Sequence, residues 1–159
     1  MNASPQPLYV DGRQSATAAM IARGTCRLLL SLGFSTVCEL PLASGRRADI
    51  VALGGDGELW IVEIKSSVED YRVDRKWPDY RLHCDRLFFA TADHVPQEIF
   101  PGETGLIVAD GFGAALLRDA PVHKLPGATR RSMMLRFARC AALRLQGLAD
   151  PSGPYREFE

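Results

Sequence analysis

The chain has 159 residues, 47% of them hydrophobic, enough to bury one core but not two. Nineteen basic residues balance nineteen acidic ones, so no global positive field advertises a polyanion partner. The four cysteines, Cys26, Cys38, Cys84 and Cys140, lack CxxC spacing, which argues against a zinc site or disulfide framework and for reduced, buried thiols of a cytoplasmic protein.

Residues 1–12 lack the charged and apolar regions of a signal peptide and are expected to form a flexible leader. One domain is expected over 13–148 and a tail over 149–159, with no segment long enough to cross a membrane. Gln14–Leu32 predicts the first helix: Ala18, Ile21, Ala22, Cys26, Leu28, Leu29 and Leu32 supply an apolar face, and Gly33 stops it. A strand is predicted over Ser35–Leu42, before a turn at Ala43-Ser44-Gly45.

Two apolar runs follow, Ile50-Val51-Ala52-Leu53 and Leu59-Trp60-Ile61-Val62, joined by Gly54-Gly55-Asp56-Gly57, the turn signal of an antiparallel hairpin. Asp49 and Glu63 are symmetric about Asp56, so a turn centred there sets the two carboxylates opposite each other on one face. Lys65, two residues beyond Glu63, falls on the same face. On a solvated face these charges would be ordinary surface residues. The flanking runs, apolar on both sides, instead describe strands covered on each face. Facing carboxylates there repel unless a cation lies between them. The turn at 43–45 also brings Glu39 near Asp49. A one-residue slip would turn it to the other face, as an edge carboxylate paired with Arg46 or Arg47.

Ser66 or Ser67 caps a helix predicted to run to about His83, broken or kinked by Pro78. Lys76 and Tyr80, four apart, would share a face, with Arg72, Arg75, Arg81 and Arg86 adding positive charge nearby. Cys84–Thr91 predicts a buried strand parallel to the Glu63 strand, because a helical crossover separates them. The runs 105–109 and 114–117 flank a second hairpin turn. A last helix is predicted from Thr129 to about Gln146, packing through Met133, Met134, Phe137, Cys140 and Ala141. Its Arg130, Arg131, Arg136, Arg139 and Arg144 are expected to give the site a cationic rim. His94 and His123 stand alone and read as loop residues.

Asp49 followed by Glu63-Ile64-Lys65 resembles the Asp…(Asp/Glu)-x-Lys signature of the PD-(D/E)xK nuclease superfamily, with Ala48 where the name has Pro. Lys76-Trp77-Pro78-Asp79-Tyr80 resembles the Gln-x-x-x-Tyr element of its RecB-like branch, with Lys in place of Gln. The order of elements from about Gln14 to Leu145 is similar to the MmcB-like family of DNA repair endonucleases. The resemblance implies an α/β, restriction-endonuclease-like core (α-β-β-β-α-β) with a mixed sheet flanked by helices, plus a C-terminal hairpin and helix. It implies catalytic Asp49, Glu63 and Lys65, and Mg²⁺ or Mn²⁺ held by Asp49, Glu63 and the Ile64 carbonyl. Many members carry a further carboxylate on the first helix; this chain has none there, which makes Glu39 the candidate. Lys76, Tyr80, Arg46, Arg47 and Arg72 become substrate contacts. The implied partner is DNA, with other repair proteins or a homodimer as options, and the cut is either endo- or exonucleolytic. A non-catalytic nucleic-acid-binding or repair-partner module on the same fold is the alternative.

Overall fold

A computed structural model describes residues 15–154 and 156–159; the expected leader lies outside them. Helix α1 spans Ala16–Ser31, and the Ser15 side chain caps it by accepting the Ala18 amide at 3.1 Å. Strands β1 (Phe34–Pro41), β2 (Arg47–Gly54) and β3 (Leu59–Ile64) form an antiparallel meander. After β3 come helix α2 (Val68–Val73) and a 3₁₀ segment over Trp77–His83, then β4 (Arg86–Thr91), parallel to β3. Strand β5 (Gly105–Ala109) is parallel to β4, β6 (Ala114–Arg118) returns antiparallel, and α3 (Gly127–Ala149) closes the fold. The result is an α/β structure with one six-stranded mixed sheet in the order β1-β2-β3-β4-β5-β6.

Strand alternation sorts the core into two layers. Ile50, Ala52, Trp60, Val62 and Phe88 pack with Ile21 and Leu29 of α1 on one face. Val51, Leu59, Ile61 and Leu87 pack with Met133, Phe137 and Cys140 of α3 on the other. The β2–β3 turn is centred on Asp56 as its sequence demands: Gly57 adopts φ +89°, and Val51 pairs with Ile61 and Ile50 with Val62.

Several expectations change, beginning with Leu32, which is the exposed C-cap of α1 rather than part of its packing face. The predicted helix over 66–83 is two pieces, parted at 74–76 rather than at Pro78. The Asp74 carboxylate accepts the Lys76 amide at 2.8 Å, ending α2, and Pro78 then starts the 3₁₀ turn. Met134 of α3 is exposed. Of the five α3 arginines, Arg130, Arg136 and Arg144 are engaged within the fold rather than forming a free rim. Arg130 forms an ion pair with Asp85, Arg136 donates to the Pro41 carbonyl, and Arg144 donates to the Cys38 and Glu39 carbonyls. Arg86 binds Glu58 and Asp119. Cys84 and Cys140 are buried as expected, whereas Cys26 and Cys38 are half-buried with their thiols 3.7 Å apart.

Candidate active site

The site forms where β2 and β3 part. Their pairing ends at Ile50–Val62, yet β2 stays paired with β1 as far as Arg47 and β3 with β4 as far as Ile64. Backbone groups in the gap need partners, and the two acids provide them. Ile64 N–H donates to Asp49 Oδ2 at 2.7 Å, and Asp49 N–H donates to Glu63 Oε1 at 3.2 Å. In an extended strand N–H and C=O of one residue point to the same edge, so the Ile64 carbonyl also faces the gap.

Glu63 is 4% exposed, while Asp49 keeps an opening to a cavity of about 490 Å³. Burial raises the Asp49 carboxyl to about 6, against the Ile64 amide and the Lys65 charge, which hold it down. Burial, and then the Asp49 charge, raises Glu63 well above the usual carboxylate range. The pair is therefore reluctant to ionise twice without a cation. Among the described residues no group of three or more His, Cys, Asp or Glu side chains is placed to hold an ion. The donors on hand are two carboxylates and one carbonyl. Such a set suits a hard divalent ion that keeps several waters, as Mg²⁺ does, and not a caged zinc.

Lys65 is 6% exposed and forms an ion pair with Asp74 at 2.6 Å, not with Asp49 or Glu63. Burial alone would depress its ammonium, but the Asp74 hydrogen bond and the charges of Asp74, Asp70 and Glu63 outweigh that and raise it. Its backbone is fixed to β4: Lys65 N–H donates to the Ala90 carbonyl at 2.9 Å, and Thr91 Oγ1 donates to the Lys65 carbonyl at 2.7 Å.

Glu39 lines the same cavity. The pairs Cys38–Ile50 and Leu40–Ala48 set it across from Asp49, but Glu39 itself takes φ +53°. That turn reverses the alternation, for Val37 and Leu40 both face the α3 layer. A non-glycine residue held there costs roughly 1–2 kcal/mol. Arg47, Lys76 and Tyr80 also line the cavity, although the Tyr80 hydroxyl donates to the Arg47 carbonyl at 3.0 Å. Arg46 pairs with Asp79, Arg72 is exposed on α2, and neither lines the cavity. His94 is a loop residue in contact with the Ser66 carbonyl at 3.2 Å. Sequence reasoning missed Asp70 and Asp74, which line the cavity from α2 and its end. Their four-residue spacing, which puts two acids on one helix face, was the available signal.

The family model of MmcB-like DNA repair proteins matches residues 5–152. The chain belongs to that family. This MmcB-like chain is also similar to the SPO1766 protein of unknown function from Silicibacter pomeroyi, with 42% identity and a TM-score of 0.86. That match covers 91% of this chain and 99% of the other. No curated protein matches it. No helix among the described residues is long and apolar enough to cross a membrane.

Proposed function

We propose that this chain is a Mg²⁺- or Mn²⁺-dependent deoxyribonuclease of PD-(D/E)xK type acting in DNA repair, with Asp49, Glu63 and Lys65 as its catalytic residues. The carrying observation is the parting of β2 from β3, which leaves a half-buried and a buried carboxylate facing each other, each bonded to a backbone amide of the gap. Family membership supports the repair role and DNA as partner.

Asp49, Glu63 and the Ile64 carbonyl would hold the ion, with Glu39 the further carboxylate on the cavity wall. When bound, the ion supplies Lewis-acid activation of a phosphodiester and of water. The protein groups do the rest. Ionised Asp49 and Glu63 keep the cavity negative enough for a divalent cation. Lys65, a fixed ammonium at the end of β3, offsets charge that grows on the phosphate. Lys76 and Arg47 line the approach and hold neighbouring phosphates, and Tyr80 steadies the β2 backbone through Arg47. Arg46 and Arg72 would at most meet DNA outside the cavity.

The test is cleavage of single-stranded, nicked, flapped and branched DNAs with Mg²⁺, Mn²⁺ or chelator, alongside Asp49→Asn and Lys65→Ala. Metal-dependent products that vanish in both variants are expected. Cleavage by either variant at the wild-type rate would remove the assignment. DNA binding without products under any metal would favour the non-catalytic module.

A further inference from the structure

We infer that Asp74 is the positioning residue for Lys65, and that the break after α2 exists to present it. This rests on the nuclease assignment above and adds to it a residue that no motif marks. A lysine has four rotatable side-chain bonds, and a buried ammonium needs a fixed partner to keep one placement. In this cavity that partner is Asp74, whose Oδ2 lies 2.6 Å from Lys65 Nζ. Both side chains are largely buried, and Lys65 makes no ion pair with Asp49 or Glu63. The other Asp74 oxygen, Oδ1, accepts the Lys76 amide at 2.8 Å. Asp74 is thus held by the backbone on one side and holds Lys65 on the other. The Lys65 main chain is anchored to β4 through Ala90 and Thr91, so both ends of the side chain are fixed. Asp74 touches neither substrate nor ion in this scheme; it acts through Lys65.

The experiment compares Asp74 variants with wild type by kinetics and by acylation of lysine amines, resolved by peptide mass. The chain's lysines are Lys65, Lys76 and Lys124, so the products separate cleanly. Asp74→Asn keeps an oxygen for the Lys76 amide while losing the charge. It should lower kcat on the order of 10–100-fold with KM little changed, since a small misplacement of a reacting group has that effect. Asp74→Glu should recover part of the loss. Acylation of Lys65 should be slow in the wild type and about tenfold faster in Asp74→Asn, with Lys76 and Lys124 unchanged, as expected when a buried pair loses one partner.

A wild-type kcat in Asp74→Asn, or equal Lys65 acylation with and without Asp74, overturns the inference. If Asp74→Asn does not fold, acylation of the wild type decides, because Lys65 reacting as fast as Lys124 also overturns it. A wild type that cleaves no DNA refutes the nuclease assignment, while the acylation rates still decide separately whether Asp74 holds Lys65.

Discussion

Replacing Asp49 by Asn should stabilise the metal-free protein at neutral pH while removing the proposed nuclease activity. The substituted amide can still accept the Ile64 N–H that Asp49 Oδ2 accepts at 2.7 Å, so the gap between β2 and β3 stays bridged. What disappears is a buried charge beside Glu63. Burial raises the Asp49 carboxyl from an ordinary 3.8 to about 6. An acid raised on folding favours the folded state only while protonated. Its contribution is present below about pH 4 and is lost as pH climbs through about 6, a change of at most about 3 kcal/mol. Asp49 opens to the cavity, so water lowers that figure. His83, depressed by burial and then by Arg136, works in the opposite direction over the same range, but it is common to both proteins and cancels. Urea unfolding at pH 4.5 and 7.5 in chelator measures the difference. Asp49→Asn should exceed wild type at pH 7.5 and approach it at pH 4.5. Saturating Mg²⁺ should then raise wild type alone, by about 2.7 kcal/mol at a hundredfold excess over Kd. An Asp49→Asn variant less stable than wild type at pH 7.5, or a difference that does not shrink on acidification, would refute the reasoning.

Two further outcomes test the fold that carries the site. Asp85 is 2% exposed and accepts from the Leu59 and Leu125 amides and from both terminal nitrogens of Arg130. Arg130→Ala leaves that carboxylate buried without its counter-charge and should cost about 3–5 kcal/mol, read as a lower urea midpoint at unchanged slope; a loss under about 1 kcal/mol would contradict the assignment. Gly24→Ala should destabilise by roughly 1–3 kcal/mol despite the better helix propensity of Ala, because a Cβ there runs into the Asp110 and Gly113 carbonyl oxygens; a rise in melting temperature would show that the hairpin yields to α1.

The central hairpin was legible because two local signals agree. Glycines around Asp56 fix the turn, and period-two alternation then makes Asp49 face Glu63 without any long-range knowledge. The parallel β4 followed from a crossover too long for a hairpin. The Asp70–Asp74 spacing marked both acids, but the pairing of Asp74 with Lys65 was not legible, because Asp74 reaches it only through the break at 74–76 and an uninterrupted stretch as far as Pro78 was expected there. The arginines of α3 misled for a related reason. Composition cannot distinguish a solvated guanidinium from one that crosses to a carbonyl on β1, as Arg136 and Arg144 do. The reversal at Glu39 had no sequence signal at all, since positive φ is normally announced by Gly or Asn.

The placement of charge along β3 joins these observations. At its Leu59 end the Asp85 carboxylate is met by two amides and a guanidinium; burial works against its ionisation, yet those partners outweigh that and hold it below its ordinary range. At its Glu63 end the carboxylates are raised, and only a cation would settle them. One strand therefore lies beside a charge that favours folding at its start and a pair that opposes folding at its end. The strands are tied together where Asp85 sits and part where Glu63 sits. A sheet anchored at one end can hold two strained carboxylates in register at the other without collapsing the gap between them. Substitutions at the two ends should consequently separate. On the proposed assignment, damage to the Asp85 cluster should remove folded molecules but leave each survivor active, whereas neutralising Asp49 should leave more folded molecules and none that cut.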